Sequence, residues 1–150
     1  MTTVYLDNCC FNRPFDNQLH PVVHLETQAK LLIQAEVLKG KLNLAWSFIL
    51  GHENSDNPYD DRREQIALWE NVAKTIVAPA QEIFALTKTI ELLGIKAKDS
   101  MHISCAIAAR ADYFITTDKK LLNKTVQGIT IIDPLDFIRR HFNVSCKGND

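Results

Sequence analysis

Lys98–Leu122, KDSMHISCAIAARADYFITTDKKLL, decides how the chain is read. From Asp99 to Arg110 the residues favour a helix, with Met101, Ile103, Ala106, Ile107 and Ala109 making a broad apolar face. Tyr113–Thr117 is aromatic and β-branched, which predicts a short buried strand. About twelve helical residues at ~1.5 Å rise and about five strand residues at ~3.3 Å cover nearly the same distance. The helix descends, the strand climbs back, and Asp99 and Asp118 return to one edge of a sheet. In open α/β sheets ligands bind at that edge, beyond the carboxyl ends of the strands.

The remaining chain repeats the alternation. Thr3–Leu6 is a β-branched and aromatic run ended by Asp7-Asn8, and CCFNRPFDNQ, with Pro14, reads as a loop or a broken helical turn. Pro21 opens a helix whose stripe is Leu25, Ala29, Leu32 and Ile33, stopped by Gly40. Glu36 falls near the far end of that helix and is expected to be a peripheral carboxylate reaching solvent. Leu42–Trp46 is a second strand, Ser47 an N-cap, and Glu53 lies less than two turns into the next helix. Asp61 and Glu64 have capping-box spacing ahead of Ile66, Trp69, Val72 and Ala73. Thr75–Val77 is a third strand, Pro79-Ala80 starts a helix running to Leu93, and Ile129–Ile132 with Asp133-Pro134 gives the last strand and helix. Residues 143–150 read as a frayed tail. The expected fold class is α/β: three layers, α/β/α, around a central parallel sheet of about five short strands in a single domain.

Composition narrows the function classes. At 150 residues the chain can bury a core without metal or disulfide staples, and 46% hydrophobic with 23% charged residues is ordinary for a globular domain. The formal net charge of −1 gives no general basic field, so a nucleic-acid partner must be held by a local patch or through cations. Cys9, Cys10, Cys105 and Cys146 have no C-x-x-C spacing and read as buried or inert thiols suited to a reducing cytoplasm. No signal segment or apolar run of about 20 residues points to a membrane, and a cytoplasmic location is expected. No G-x-G-x-x-G or Walker A segment follows a strand. A receiver-type domain would want an acidic pair after the first strand, where Asp7 is followed by Asn8 and Cys9.

Asp7, Glu53, Asp99 and Asp118 each come near a strand end or a helix head. Singly, each has a plain structural reading as an N-cap, an Asx-turn or a solvated helix residue. Together they repel, by about 3 kcal/mol for a pair at ~5 Å and an effective dielectric of ~20. Hard oxygen donors of this kind suit Mg²⁺ or Mn²⁺, which neutralise charge building on a phosphodiester. Arg13, Lys119 and Lys120, close in sequence to Asp7 and Asp118, are candidates for phosphate contacts or plain surface charges. Arg62 and Arg63 are weaker candidates. His102 reads as a core or edge histidine more readily than as a base.

The segments LDNCCFN, WSFILGHEN and above all KDSMHISCAIAARADYFITTDKKLL resemble those of PIN-domain proteins, the fold of many small ribonucleases including VapC-type toxins. The resemblance covers nearly the whole chain. It implies a Mg²⁺- or Mn²⁺-dependent endoribonuclease with catalytic Asp7, Glu53, Asp99 and Asp118. Asp7, Asp99 and Asp118 would be on the metal, and Glu53 would orient the attacking water or complete a second metal site. The family's hydroxyl falls on Thr116 or Thr117. Asn8 and Asn12 depart from the simplest family pattern and either extend the metal or phosphate site or shape the loop. RNA as substrate, a protein antitoxin and a homodimer are further implications. The rival reading is a PIN-like module that binds RNA or protein without cutting.

Overall fold

The computed structural model describes residues 1–142, so the expected frayed tail and Cys146 lie outside the described residues. Five strands run in parallel: β1 Thr3–Leu6, β2 Asn43–Ser47, β3 Thr75–Val77, β4 Tyr113–Ile115 and β5 Thr130–Ile132, in the spatial order β3-β2-β1-β4-β5. The α-helices are α1 Asn8–Asn12, α2 Pro21–Leu38, α3 Phe48–Ser55, α4 Asp60–Val72, α5 Gln81–Glu91, α6 Ala97–Ala108, α7 Lys119–Leu122 and α8 Pro134–His141. A 3-10 turn, Arg13–Phe15, follows α1, so CCFNRPFDNQ is the broken helical turn.

Strand order is what positions the site. From β1 the chain steps outward through β2 to β3, then returns across the sheet to lay β4 against the other side of β1. Right-handed crossovers therefore put the helices of the two halves on opposite faces. Between β1 and β4 the chain leaves in opposite directions, opening a crevice at the carboxyl ends of both strands. The pairing is tight there. Tyr5 lies opposite Phe114 and Leu6 opposite Ile115, and the Asp7 N–H continues the ladder to the Ile115 carbonyl at 2.9 Å.

The core explains why these short runs become strands. Val4, Tyr5, Leu6, Leu44, Ala45, Trp46, Phe114 and Ile115 are buried on both faces, as parallel strands under two helical layers must be. Tyr5 stacks on Phe114 with ring centroids 5.5 Å apart, and Phe11 meets Trp46 edge-on at 5.4 Å. Helices α5 and α6 pack on each other, as do α2 and α8. Among the described residues no helix is long and apolar enough to cross a membrane.

Three local expectations are corrected. On α2, Ala29 and Ile33 are buried, but Leu25 and Leu32 are half exposed, and Thr27, Lys30, Gln34 and Glu36 turn inward instead. Packing against α1 and α8 chose that face, overriding the apolar count. The α4 N-cap is Tyr59, without a side-chain cap bond, so Asp61 and Glu64 form no capping box. Glu36 does not reach solvent: it is 5% exposed and takes a hydrogen bond from His141 Nε2 at 2.8 Å, with Lys39 Nζ at 3.7 Å. Ser47 and Asp133 cap α3 and α8 as read, accepting from the Leu50 and Asp136 amides.

The His141 bond holds the Glu36 carboxyl below its ordinary value of 4.5. A folded-state pKa below the unfolded one stabilises above 4.5 and is lost as acid protonates the folded protein. Glu36→Gln should therefore melt below the wild type at neutral pH, with the gap closing as the pH falls through 4.5 and below. Thermal melts across pH check this, and a gap indifferent to pH contradicts it.

Candidate active site

Each acidic residue is set by its element. Asp7 ends β1 and caps α1, its Oδ1 accepting from the Asn8 amide at 2.8 Å. Asp118 follows β4 and caps α7, its Oδ1 accepting from the Lys120 amide at 2.9 Å. Asp99 sits in the first turn of α6, where a negative charge faces the positive end of the helix dipole. Glu53 is six residues after the Ser47 cap on α3. The plain capping reading thus holds for Asp7 and Asp118, but it does not exhaust them.

Thr116 joins two of them. Its hydroxyl donates to Asp7 Oδ2 at 2.8 Å and accepts from the Asp118 amide at 3.1 Å, while its own amide binds the Ile132 carbonyl. Fully buried just after β4, Thr116 ties the Asp7 carboxylate to the backbone that leads into Asp118. Thr117 is also buried and turns its amide to Cys9 Sγ at 3.5 Å. Asp99 and Asp118 line one cleft of about 380 Å³ with Gly94, Lys96, Lys120 and Lys124. Burial, then the charges of Asp118 and Glu53, raise the Asp99 carboxyl above its ordinary value.

Asp7 is 7% exposed, and burial pushes its carboxyl up to about 8, with Cys9 adding to the rise and His102 opposing it. Cys9 is only partly buried, its Sγ lies 3.5 Å from both Asp7 Oδ2 and Thr116 Oγ1, and hydrogen bonding with Cys10, Thr116 and Thr117 draws its thiol below the ordinary range.

Glu53 is organised differently, through a buried chain of side chains that the sequence reading missed. Ser47 Oγ, Tyr5 Oη and His102 Nδ1 are linked at 2.6 and 2.7 Å, and His102 Nε2 meets Glu53 Oε1. Burial keeps the proton on Tyr5, which sits between Ser47 and His102, and with Glu53 ionised it is the Nε2–H of His102 that donates to the carboxylate. Burial works against the charge on Glu53, but His102 and then Lys98, at 3.6 Å, outweigh it and hold the carboxyl below its usual value. One signal was available: His102, three residues after Asp99, lies a single turn along the same helix.

Not every sequence candidate reaches the acids. Arg13 is held by Asp16 and Glu26, each at 3.0 Å, against α2. Lys120 lines the Asp99–Asp118 cleft, whereas Lys119 is exposed outside it. Asn8 and Asn12 line a second cleft with Glu53, and Asn12 Nδ2 donates to the Asn8 carbonyl at 3.0 Å.

The donors suit Mg²⁺ or Mn²⁺ in kind: hard carboxylate oxygens, mutually repelling, with no ion pair to Asp7, Asp99 or Asp118 among the described residues. In the arrangement observed, no three His, Cys, Asp or Glu side chains among the described residues stand close enough to close round an ion.

Deleting His102 leaves Tyr5 with Ser47 alone and removes the buried partner of the Glu53 carboxylate. His102→Ala should lower unfolding free energy by about 1–3 kcal/mol in a urea titration; an unshifted midpoint would contradict the buried chain.

No family model and no curated protein matches the sequence. Among solved structures the chain is similar to one in the crystal structure of VapBC2 from Rickettsia felis bound to a DNA fragment from their promoter, at 15% identity and a TM-score of 0.58. The match covers 88% of this chain and 98% of that one. Together with the all-parallel five-stranded sheet and its β1/β4 crevice, that likeness identifies the fold as the PIN-domain fold.

Proposed function

We propose that the chain is a divalent-metal-dependent endoribonuclease, with Asp7, Asp99 and Asp118 holding Mg²⁺ or Mn²⁺. The observation that supports this best is Thr116 at the switch point, whose hydroxyl binds both the Asp7 carboxylate and the Asp118 backbone amide, while Asp118 and Glu53 bear electrostatically on Asp99. Such a cation, when bound, neutralises phosphate charge and makes water a better nucleophile.

The chain's own groups take defined parts. Glu53, kept ionised by His102 and Lys98, accepts a hydrogen bond from the attacking water and aims it rather than serving as a strong base. His102 is a positioning residue: it fixes the carboxylate and is itself fixed by Tyr5. Lys120, at the rim of the Asp99–Asp118 cleft, meets a non-bridging phosphate oxygen, and Lys96 and Lys124 extend the positive side of that cleft. Thr116 keeps Asp7 oriented, and Arg13 shapes the loop. Water adds to phosphorus, one phosphorus–oxygen ester bond breaks, and the departing oxygen takes a proton.

A toxin paired with a protein antitoxin is the biological role the fold favours, since the similar structure is of a VapBC complex. The half-exposed Val22, Leu25 and Leu32 on α2 are apolar surface of the kind such a partner, or a second copy of the chain, covers.

Purified protein should cut single-stranded RNA with Mg²⁺ or Mn²⁺ and stop with EDTA. Asp99→Asn should lower cleavage at least a hundredfold with an unchanged circular dichroism spectrum, and should relieve any growth arrest caused by expressing the chain alone. RNA binding without cleavage would favour the non-cutting module instead.

A further inference from the structure

The cleft beside Glu53 has a composition that phosphodiester chemistry alone does not require. It measures about 260 Å³, and Asn8, Asn12, Asn54, Asn57, Tyr59 and Arg62 line it together with two carboxylates, Glu53 and Asp56. Four amides converge, and their orientations are set. Asn57 Nδ2 points to Asn12 Oδ1 at 3.4 Å, Asn12 Nδ2 donates to Asn8, and Asn57 Oδ1 accepts the Tyr59 amide at 3.1 Å.

Asn54 supplies an independent sign of a missing partner. It is 5% exposed, and its Nδ2 donates to the Arg63 carbonyl at 2.9 Å, but its buried Oδ1 has no hydrogen-bond partner. A buried acceptor without a donor costs about 1–3 kcal/mol. Beside it, Arg62 lies 4.0 Å over the Tyr59 ring, and Tyr59 is 57% exposed, leaving aromatic surface for another stacking partner.

We infer that this cleft is a nucleobase pocket, selecting the base next to the scissile phosphate for an exocyclic amine beside a ring-nitrogen acceptor, the edge shared by adenine and cytosine. Carboxamides match that edge because each offers a donor and an acceptor at the same spacing. Unstacked RNA bases are read by stacking on aromatic or guanidinium planes with hydrogen bonds to their edges. The Tyr59–Arg62 pair provides the platform and the amides the edge contacts. The charge pattern agrees: phosphate belongs in the cleft with three lysines by Asp118, whereas the amide cleft carries one guanidinium against the carboxylates of Glu53 and Asp56, which suits a base amine better than a phosphate. The inference rests on the ribonuclease reading for its place in the reaction, but the pocket binds a base whether or not the bond is cut.

The test titrates AMP, CMP, GMP and UMP into the whole protein, followed by amide chemical shifts, alongside sequencing of the ends left by cleavage of a random RNA. AMP or CMP should bind at least tenfold tighter than UMP and GMP, shifting residues 54–62. Tyr59→Ala and Asn57→Ala should each erase most of that difference, and Tyr59→Phe, which keeps the ring, should restore it. Tyr59 makes no side-chain cap bond, so its loss leaves α4 intact. Equal binding of all four nucleotides, or a preference that survives Tyr59→Ala and Asn57→Ala, overturns the pocket. Selective binding without cleavage upholds the pocket and defeats the nuclease reading; cleavage indifferent to base, with unselective binding, does the reverse.

Discussion

The Thr116 hydroxyl, bonded to the Asp7 carboxylate and to the Asp118 amide, is the interaction on which the β1/β4 crevice turns. Asp7 loses hydration by burial there, and Asp99 feels Asp118 and Glu53. A sheet of this topology offers the place for nothing extra, because reversal of strand order leaves a gap beyond the two central strands. The core then holds the gap to fixed dimensions. Tyr5 stacked on Phe114 locks β1 to β4, and Thr116 carries that rigidity to the Asp7 carboxylate.

The two halves of the site are supported by different physics. Asp7 and Asp118 depend on local capping geometry and one hydroxyl, so their positions follow from a few residues around the strand ends. Glu53 depends on long-range contacts, with Tyr5 from β1, Ser47 from β2 and His102 from α6 joined in one chain. That chain reaches from the middle of the sheet to the surface. A charge-assisted hydrogen bond at its end is worth more than a neutral one, which is why a buried histidine can hold a carboxylate ionised against burial.

The same division explains what could be read from sequence. The helix read over Asp99–Arg110 and the strand read over Tyr113–Thr117 declared themselves through propensity and periodicity; they form as Ala97–Ala108 and the shorter Tyr113–Ile115, so their lengths do not match, yet Asp99 and Asp118 line a common cleft. Ser47 and Asp133 were legible because capping is a short-range interaction. What depended on packing between distant elements was not. The α2 leucines promised a buried stripe, yet α8 drew Glu36 inward to meet His141. Arg13 stood near Asp7 in sequence but was claimed by Glu26 on α2. The His102–Glu53 contact joins residues 49 positions apart, and spacing alone carries no information about such a pair. The amide cleft was half visible in Asn8 and Asn12, while Asn54 and Asn57 come to it from the far end of α3.

Anomalous diffraction from crystals grown with Mn²⁺ addresses the central claim directly. The account predicts one strong manganese peak within coordination distance, about 2.0–2.3 Å, of oxygens from at least two of Asp7, Asp99 and Asp118. Manganese bound only elsewhere, or no peak at millimolar Mn²⁺ with those side chains well ordered, would contradict it.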